Sequence, residues 1–385
     1  MAKMRTKEET GMALHRAVPR VDIAELEDYH SRGLLDRGRH PRTDLSSWCY
    51  SSLAVNSRQW DRVTLMCRGL VTDGVGNVVA RPFGKFFDYE EHMGPLPTGP
   101  YEVWEKVDGS LGVMYWMDDE PYVATRRSFR TKQSAVANRL LRSQYAGLWP
   151  SIDRDVTYVF EIVYPENPSV VRYDEERLVL LGTVDKATGQ EFPPRDDQWP
   201  HLPEFFGIAG SDENPLHLKL LQEPNREGFV IRYTGSGLKL KVKFDDYLIA
   251  NKHVFDTNAA TIWRAMRGGV DGYADSIRHE APAWFVDWVE TTEATIRGWY
   301  DERLAAAAVD LRDILARRPG GDDRRWIAEQ AKATKHPGLV MLLLDGKSTE
   351  KVWQDCRPAP VQYGEPIVRL DEWDGMHYHG LEDGQ

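Results

Sequence analysis

Two hydrophobic periods divide this chain, and the change from one to the other near residue 250 restricts its fold more than any other feature. From Trp48 to about residue 248 the apolar residues alternate with polar ones or fall in short runs, the signature of β-strands. From about residue 250 they recur near the helical period, as at Trp284, Trp288, Ile296, Trp299, Leu304 and Leu311. Pro282 is placed to open a helix and Pro319 lies just past its end, with one long helix or two broken near Gly298 both fitting. At 385 residues the chain has room for two domains. The expected fold class is α+β: an antiparallel-sheet domain over 46–248, then an all-α domain over 249–350. Residues 1–45 read as a peripheral segment with a short helical pattern around 21–26, and 351–385 as an extended acidic tail. His377 and His379 in that tail form a weak candidate metal pair.

Within the strand-rich part, 62–71 reads as a strand, 73–77 as a turn, and the aromatic residues of 83–88 as core. Residues 157–164 and 177–184 read as buried strands, and Glu161 interrupts the first; a carboxylate there needs a partner or a ligand. Residues 227–233 and 238–244 form a hairpin across 234–237. Alternation along the second strand puts Lys239, Lys241 and Lys243 on one face and Leu240 and Val242 on the other. Three lysines of this kind also suit a solvated edge strand.

The stretch richest in chemistry is Lys106-Val107-Asp108-Gly109, between strand patterns at 101–105 and 111–116. Asp-Gly favours a tight turn, so the reading is a hairpin with Lys106 at a strand end beside a cleft. Alone, the string equally suits a surface lysine. Composition excludes some classes. A net charge of −11 argues against a body coated in basic surface for bulk nucleic-acid binding. Three scattered cysteines give neither a disulfide framework nor a zinc site and fit a reducing cytoplasm. No signal peptide and no apolar run long enough to span a bilayer is visible, so no membrane partner is expected.

An amine that attacks a nucleoside triphosphate must be neutral, and nearby cations such as Lys241, Lys243 and a metal ion would lower its pKa. Those cations would also stabilise charge on the phosphoryl oxygens. Glu227 could supply oxygen to a divalent ion, and Glu161 could accept a hydrogen bond from a ribose hydroxyl. Together these residues make a phosphoryl-transfer site the best reading of the strand-rich domain.

The ordered set Lys106-x-Asp108-Gly109, Phe160-Glu161, Glu227-Gly228-Phe229-Val230 and Lys241-Val242-Lys243 resembles the covalent nucleotidyltransferase superfamily. Within it, Arg68-Gly69, the run from Arg81 to Phe87, and Asp246-Tyr247-Leu248 are most similar to RNA ligase 1 of the T-even phage type. The resemblance covers roughly 60–250 and implies an antiparallel-sheet adenylyltransferase domain of the ATP-grasp-like ligase kind. It implies an ATP-dependent RNA ligase with Mg2+ or Mn2+. Lys106 takes AMP from ATP, AMP passes to an RNA 5′-phosphate, and a 3′-hydroxyl displaces it. Arg68, Lys85 and Tyr247 would hold the triphosphate tail, and Lys241 and Lys243 the α-phosphate. Asp108 joins Lys106, Lys241 and Lys243 as a candidate catalytic residue, Glu105 and Glu161 join the nucleotide-binding set, and Glu227 is the candidate metal ligand. Arg126 stands where the family often has lysine, which leaves its role open because guanidinium and ammonium are not interchangeable at phosphate. Lys239 has no counterpart in the motif and is expected to matter less. The expected partners are ATP, a single-stranded or tRNA-like RNA and an end-healing kinase or phosphatase, with the ligase itself a monomer. Arg317, Arg318, Arg324 and Arg325 offer a second, phosphate-contacting corner or a plain solvated helix end. The alternatives are a DNA ligase or capping enzyme, which would continue into a strand-rich oligonucleotide-binding domain, and a binding protein without chemistry.

Overall fold

The structure is a computed structural model that describes residues 19–373 apart from 168, 196, 211–212, 268–271, 321–322 and 348–349. His377 and His379 lie outside the described residues. The described residues of Met1–Asn167 and Val171–Phe244 form one compact unit, and those of Pro168–Val170 and Asp245–Gln385 a second.

Three sheets build the first unit. Leu35–Arg39, Ser46–Tyr50, Arg68–Thr72 and Val78–Ala80 pair antiparallel in sequence order. A five-stranded antiparallel sheet runs in the spatial order Glu191–Phe192, Arg177–Asp185, Val156–Val163, Ser110–Met117, Glu120–Thr125. Its inner strands, Arg177–Asp185, Val156–Val163 and Ser110–Met117, are buried on both faces, which explains their nearly continuous apolar sequences. Met114, Val123 and Phe160 pack with Leu140 and Leu141 of the helix Lys132–Ser143. The alternate residues Val113, Ala124 and Val159 pack with Val71, Ala80 and Phe129. The third sheet has the order Phe205–Ala209, Tyr101–Glu105, Gly228–Tyr233, Lys239–Lys243, Phe87–Asp88. Its last pair is parallel, the one departure from an antiparallel arrangement among these sheets.

Helices build the second unit, and the only β-pairing among its described residues is an isolated bridge between Pro358 and Arg369. Ala283–Ala316 is one unbroken helix of 34 residues through Gly298, opened at Pro282. Its residues Ala307 and Ile314 pack with Ile327, Ala331, Leu339 and Val340. Asp323 caps the helix Arg324–Ala331 by accepting from the Trp326 N–H at 3.1 Å.

Four expectations need correction. The described part of 1–45 is not peripheral: Leu26, Leu34 and Leu35 are buried in one cluster with Trp48 and Leu70, and Leu35–Arg39 is a sheet strand. Residues 62–71 are not one strand but a helix, Arg62–Met66, followed by the strand Arg68–Thr72. Asp61 and Thr64 close a reciprocal capping box that starts the helix, and this local signal overrides the β-branched run. The described part of 351–385 is not simply extended: Glu350–Asp355 is helical, and Ala359 and Val361 are buried against Ala259. Finally, Lys106-Val-Asp-Gly does not close a hairpin. Tyr101–Glu105 and Ser110–Met117 belong to different sheets, and the stretch crosses between them.

Candidate active site

That crossover explains where Lys106 stands. Its backbone N–H donates to the Gly228 carbonyl at 2.9 Å, which anchors it to the third sheet. Two residues on, the Asp108 N–H donates to the Tyr173 hydroxyl at 3.1 Å, and the Asp108 carboxylate accepts from the Val171 N–H at 3.0 Å. Gly109 then passes so close to the second sheet that a Cβ there would lie 2.6 Å from the Ile162 carbonyl oxygen. Glycine is required for this approach rather than for a turn.

Cross-strand register sets the neighbours. Gly228 lies opposite Lys243, Val230 opposite Lys241 and Trp104, and Arg232 opposite Lys239 and Glu102. Gly228 has φ +136°, and a Cβ there would collide with the Val242 carbonyl oxygen, so the Glu-Gly pair is fixed by backbone geometry. The lysines of Lys239–Lys243 share a face as strand alternation dictates, but they meet carboxylates rather than solvent. Glu227, 3% exposed, bridges two of the site's amines: Lys106 Nζ at 2.7 Å and Lys243 Nζ at 3.1 Å. Lys241 Nζ lies 3.2 Å from Asp88, and Lys239 Nζ 2.5 Å from Glu191.

These pairings set the charge states. Burial opposes the charge on Lys106, yet Glu227 and then Glu161 outweigh it and hold the amine above its ordinary pKa. The sequence-based expectation that cations depress this pKa is therefore corrected: in this arrangement carboxylates dominate. Burial lowers Lys241 to about 8 against the pull of Asp88, with Lys85 and Arg68 adding to the fall. Burial also lowers Lys85. Glu161 is pushed up to about 7, first by burial, with Lys106 opposing and Glu227 and Asp108 reinforcing.

A pH signature follows from Glu161. Its folded-state pKa is raised above the ordinary carboxylate value, so the fold prefers the protonated form. Stability from that preference is present at low pH and is lost as pH rises through about 7. Glu161→Gln is expected to melt above wild type at pH 8, with the gap closing as pH falls to about 4. Thermal melts across that range measure it, and a constant gap at every pH would contradict the assignment.

Two cavities meet at Lys106. One is walled by Phe83, Phe86, Trp104, Leu111, Leu181 and Val230. The other is polar and includes Ser110, Thr125, Arg126, Gln133, Glu227 and Lys243. Arg68, Lys106, Leu111, Glu161 and Lys241 line both. An apolar compartment beside a cationic one suits an amphiphilic ligand with a flat apolar part and an anionic part.

The structure thus brings together Arg68, Lys106, Asp108, Glu161, Glu227, Lys241 and Lys243. Glu105 lines the apolar cavity, and its carboxylate accepts from the Glu204 N–H at 3.2 Å. Arg126 is exposed at the polar cavity, with its carbonyl accepting from the Ser47 hydroxyl at 3.1 Å. Lys85 lines neither cavity; its Nζ donates to the Phe86 carbonyl at 3.2 Å and lies 4.4 Å from the Phe87 ring centre. Tyr247 is buried in the helix Asp245–Asp256 of the second unit, where its hydroxyl bonds Asn251 at 3.4 Å. Three residues were not expected: Asp88 and Glu191, which pair the strand lysines, and Phe86, which walls a cavity instead of filling core. Arg324, counted among the phosphate-contacting arginines, is paired with Asp345.

Among the described residues no three His, Cys, Asp or Glu side chains converge as a metal site. Buried Glu227 offers one carboxylate, which suits an Mg2+-type ion whose other ligands are phosphate oxygens and water.

Residues 66–248 match the sequence profile of the RNA ligase family. An RNA ligase of Rhodothermus phage RM378 is 26% identical over 208 residues, which are 42% of this chain and 46% of that protein. A protein of Autographa californica nuclear polyhedrosis virus, whose name joins polynucleotide kinase and RNA ligase, is 27% identical over 221 residues, 50% of this chain and 31% of its own length. This chain therefore spans less than half the length of either relative. Among solved structures, an archaeal ATP-dependent RNA ligase is similar with TM-score 0.43 at 16% identity, over 85% of this chain and 80% of that one. An RNA ligase of Naegleria gruberi gives TM-score 0.34 at 18% identity, over 40% and 52%. The class is a mixed α/β protein with antiparallel sheets and a helical C-terminal region. Over residues 66–248 the chain is similar to the RNA ligase 1 family.

Proposed function

We propose that this protein is an ATP-dependent RNA ligase whose first unit is a nucleotidyltransferase domain and whose nucleophile is Lys106. The observation that carries the reading is Lys106 standing between an apolar and a cationic compartment while sharing Glu227 with Lys243. ATP is the first substrate, its base in the apolar compartment and its phosphates beside Arg68, Lys241 and Lys243. The Lys106 amine, after losing a proton, attacks the α-phosphorus; a P–N bond forms, the α–β P–O bond breaks and pyrophosphate leaves. The nearest acceptor for that proton is Glu227, at 2.7 Å. A divalent ion held by Glu227 and phosphate oxygens would neutralise charge in this step. AMP then passes from Lys106 to an RNA 5′-phosphate, and an RNA 3′-hydroxyl displaces it. Arg126 contributes at the polar cavity, where the RNA 5′-phosphate must arrive.

Such a reaction consumes 5′-phosphate and 3′-hydroxyl ends, so a kinase or phosphatase that makes them is the fitting partner in RNA repair. The described residues after Lys243 form helices and one isolated bridge, which speaks against a DNA ligase or capping enzyme with a strand-rich domain in that place. Cys49, Cys67 and Cys356 are buried free thiols, which suits a reducing cytoplasm. No helix among the described residues is long and apolar enough to cross a membrane. The test is incubation with ATP labelled at the α-phosphate and Mg2+ or Mn2+, then denaturing electrophoresis, followed by ligation of single-stranded RNA, nicked RNA and nicked DNA. Label on the protein together with joined RNA supports the reading, and joined DNA alone overturns it.

A further inference from the structure

Lys239 lies outside the matched motif, yet its surroundings are the most heavily organised of the three strand lysines. Its Nζ is 2.5 Å from a Glu191 carboxylate oxygen, and the two side chains are only 12% and 24% exposed. The other Glu191 oxygen accepts from the Gly84 N–H at 3.0 Å. The same ammonium lies 3.5 Å from the Phe83 ring centre and 4.7 Å from that of Phe86. One ion pair therefore touches residues 83, 84 and 86, by cation–π contact to the two rings and by a hydrogen bond to the Gly84 N–H. Phe86 in turn is approached by two further cations, Arg68 and Lys241, each at 5.3 Å from its centre. A cation near an aromatic face is attracted by the ring quadrupole, so one ring offsets part of the repulsion among three positive groups. Lys85 lies between Gly84 and Phe86, and its Nζ donates to the Phe86 carbonyl.

We propose that Lys239 and Glu191 are positioning residues, whose largely buried ion pair clamps segment 83–86 to the Lys239–Lys243 strand and so sets Arg68 and Lys241 for the nucleotide's phosphates. The inference rests on the proposed ATP-dependent chemistry. Lys239 itself touches no reacting atom. Its effect is on where cations stand before ATP arrives, and therefore on ATP affinity more than on the chemical step.

The test is ATP binding, followed by tryptophan fluorescence since Trp104 lines the cavity, together with KM and kcat for protein adenylylation. Lys239→Met is expected to weaken ATP binding and raise KM by about tenfold or more, with kcat changed by less than about threefold. Glu191→Gln is expected to do the same. Lys239→Arg, which keeps the charge and the pair, is expected to return both values to within about threefold of wild type. The combined Lys239→Met, Glu191→Gln variant is expected to be no worse than the weaker single variant, because the two residues act as one unit. Unchanged ATP affinity in folded Lys239→Met, with or without a lower melting temperature, overturns the proposal. So does a loss confined to kcat, or additive losses in the combined variant. If Lys239→Met does not fold, Glu191→Gln and Lys239→Arg decide by the same criteria. Wild-type protein that binds no ATP and takes no label overturns the ligase reading as well, whereas normal wild-type labelling with unaltered variants overturns the positioning role alone.

Discussion

Lys106→Ala is expected to abolish label transfer from ATP to the protein, a loss of about 10⁴-fold or more. Lys106→Arg is expected to lose as much, because guanidinium stays protonated at any working pH and offers no lone pair. The fold should survive both changes. Removing the Lys106 amine still leaves Glu227 paired with Lys243 at 3.1 Å, so the buried carboxylate keeps a cation. The two readouts, labelling and a thermal melt, therefore separate chemistry from stability. Wild-type levels of label on either variant, at a normal melting temperature, would remove Lys106 from the mechanism.

What the sequence disclosed and what it hid have different physical origins. Strand alternation is local, so the shared face of Lys239, Lys241 and Lys243 could be read directly, as could the hairpin that carries them. The reading of the site as one for nucleotide transfer came from the order of short motifs, each weak by itself. Partner choice is not local. Asp-Gly was a sound sign of a sharp change of direction after Lys106, but only Tyr173, Val171 and Ile162, all distant in sequence, determine that the chain crosses to another sheet. The protonation of Lys106 was misread for a related reason. Glu227 looked like a metal ligand in the sequence, and nothing there showed its carboxylate between two lysines. Neither Glu191 nor Asp88 is a motif residue: Asp88 became visible as the partner of Lys241 only with the register of the third sheet, and Glu191, on the edge strand of the second sheet, only through its ion pair with Lys239. The helix Arg62–Met66 was legible in principle, since Asp61 and Thr64 carry its capping box, but a β-branched and apolar run masked it.

Lys241→Ala and Lys243→Ala are each expected to slow adenylylation of Lys106 by about 10²–10³-fold, the scale of losing one aligned charge contact in a transition state. Their pH profiles should differ, because the two amines have different partners. In the wild type, the raised pKa of Lys106 leaves little neutral amine near pH 7, so the rate climbs with pH by up to about tenfold per unit. Lys241 opposes this, since it loses its proton near about 8 and with it the charge that faces the phosphates. The balance is a rate that rises and then levels or falls just above that value. Lys241→Arg keeps its charge, so its profile should go on rising where the wild type levels, even if its rate is lower. Lys243→Ala acts on the other limb. It leaves Glu227 to Lys106 alone, which strengthens the hold on the ammonium and should move the rising limb to higher pH. Single-turnover labelling between pH 6 and 10 measures both limbs. Identical profiles for Lys241→Arg and wild type would show that Lys241 does not set the upper limb. An unshifted lower limb in Lys243→Ala would show that Glu227 does not control the protonation of the nucleophile.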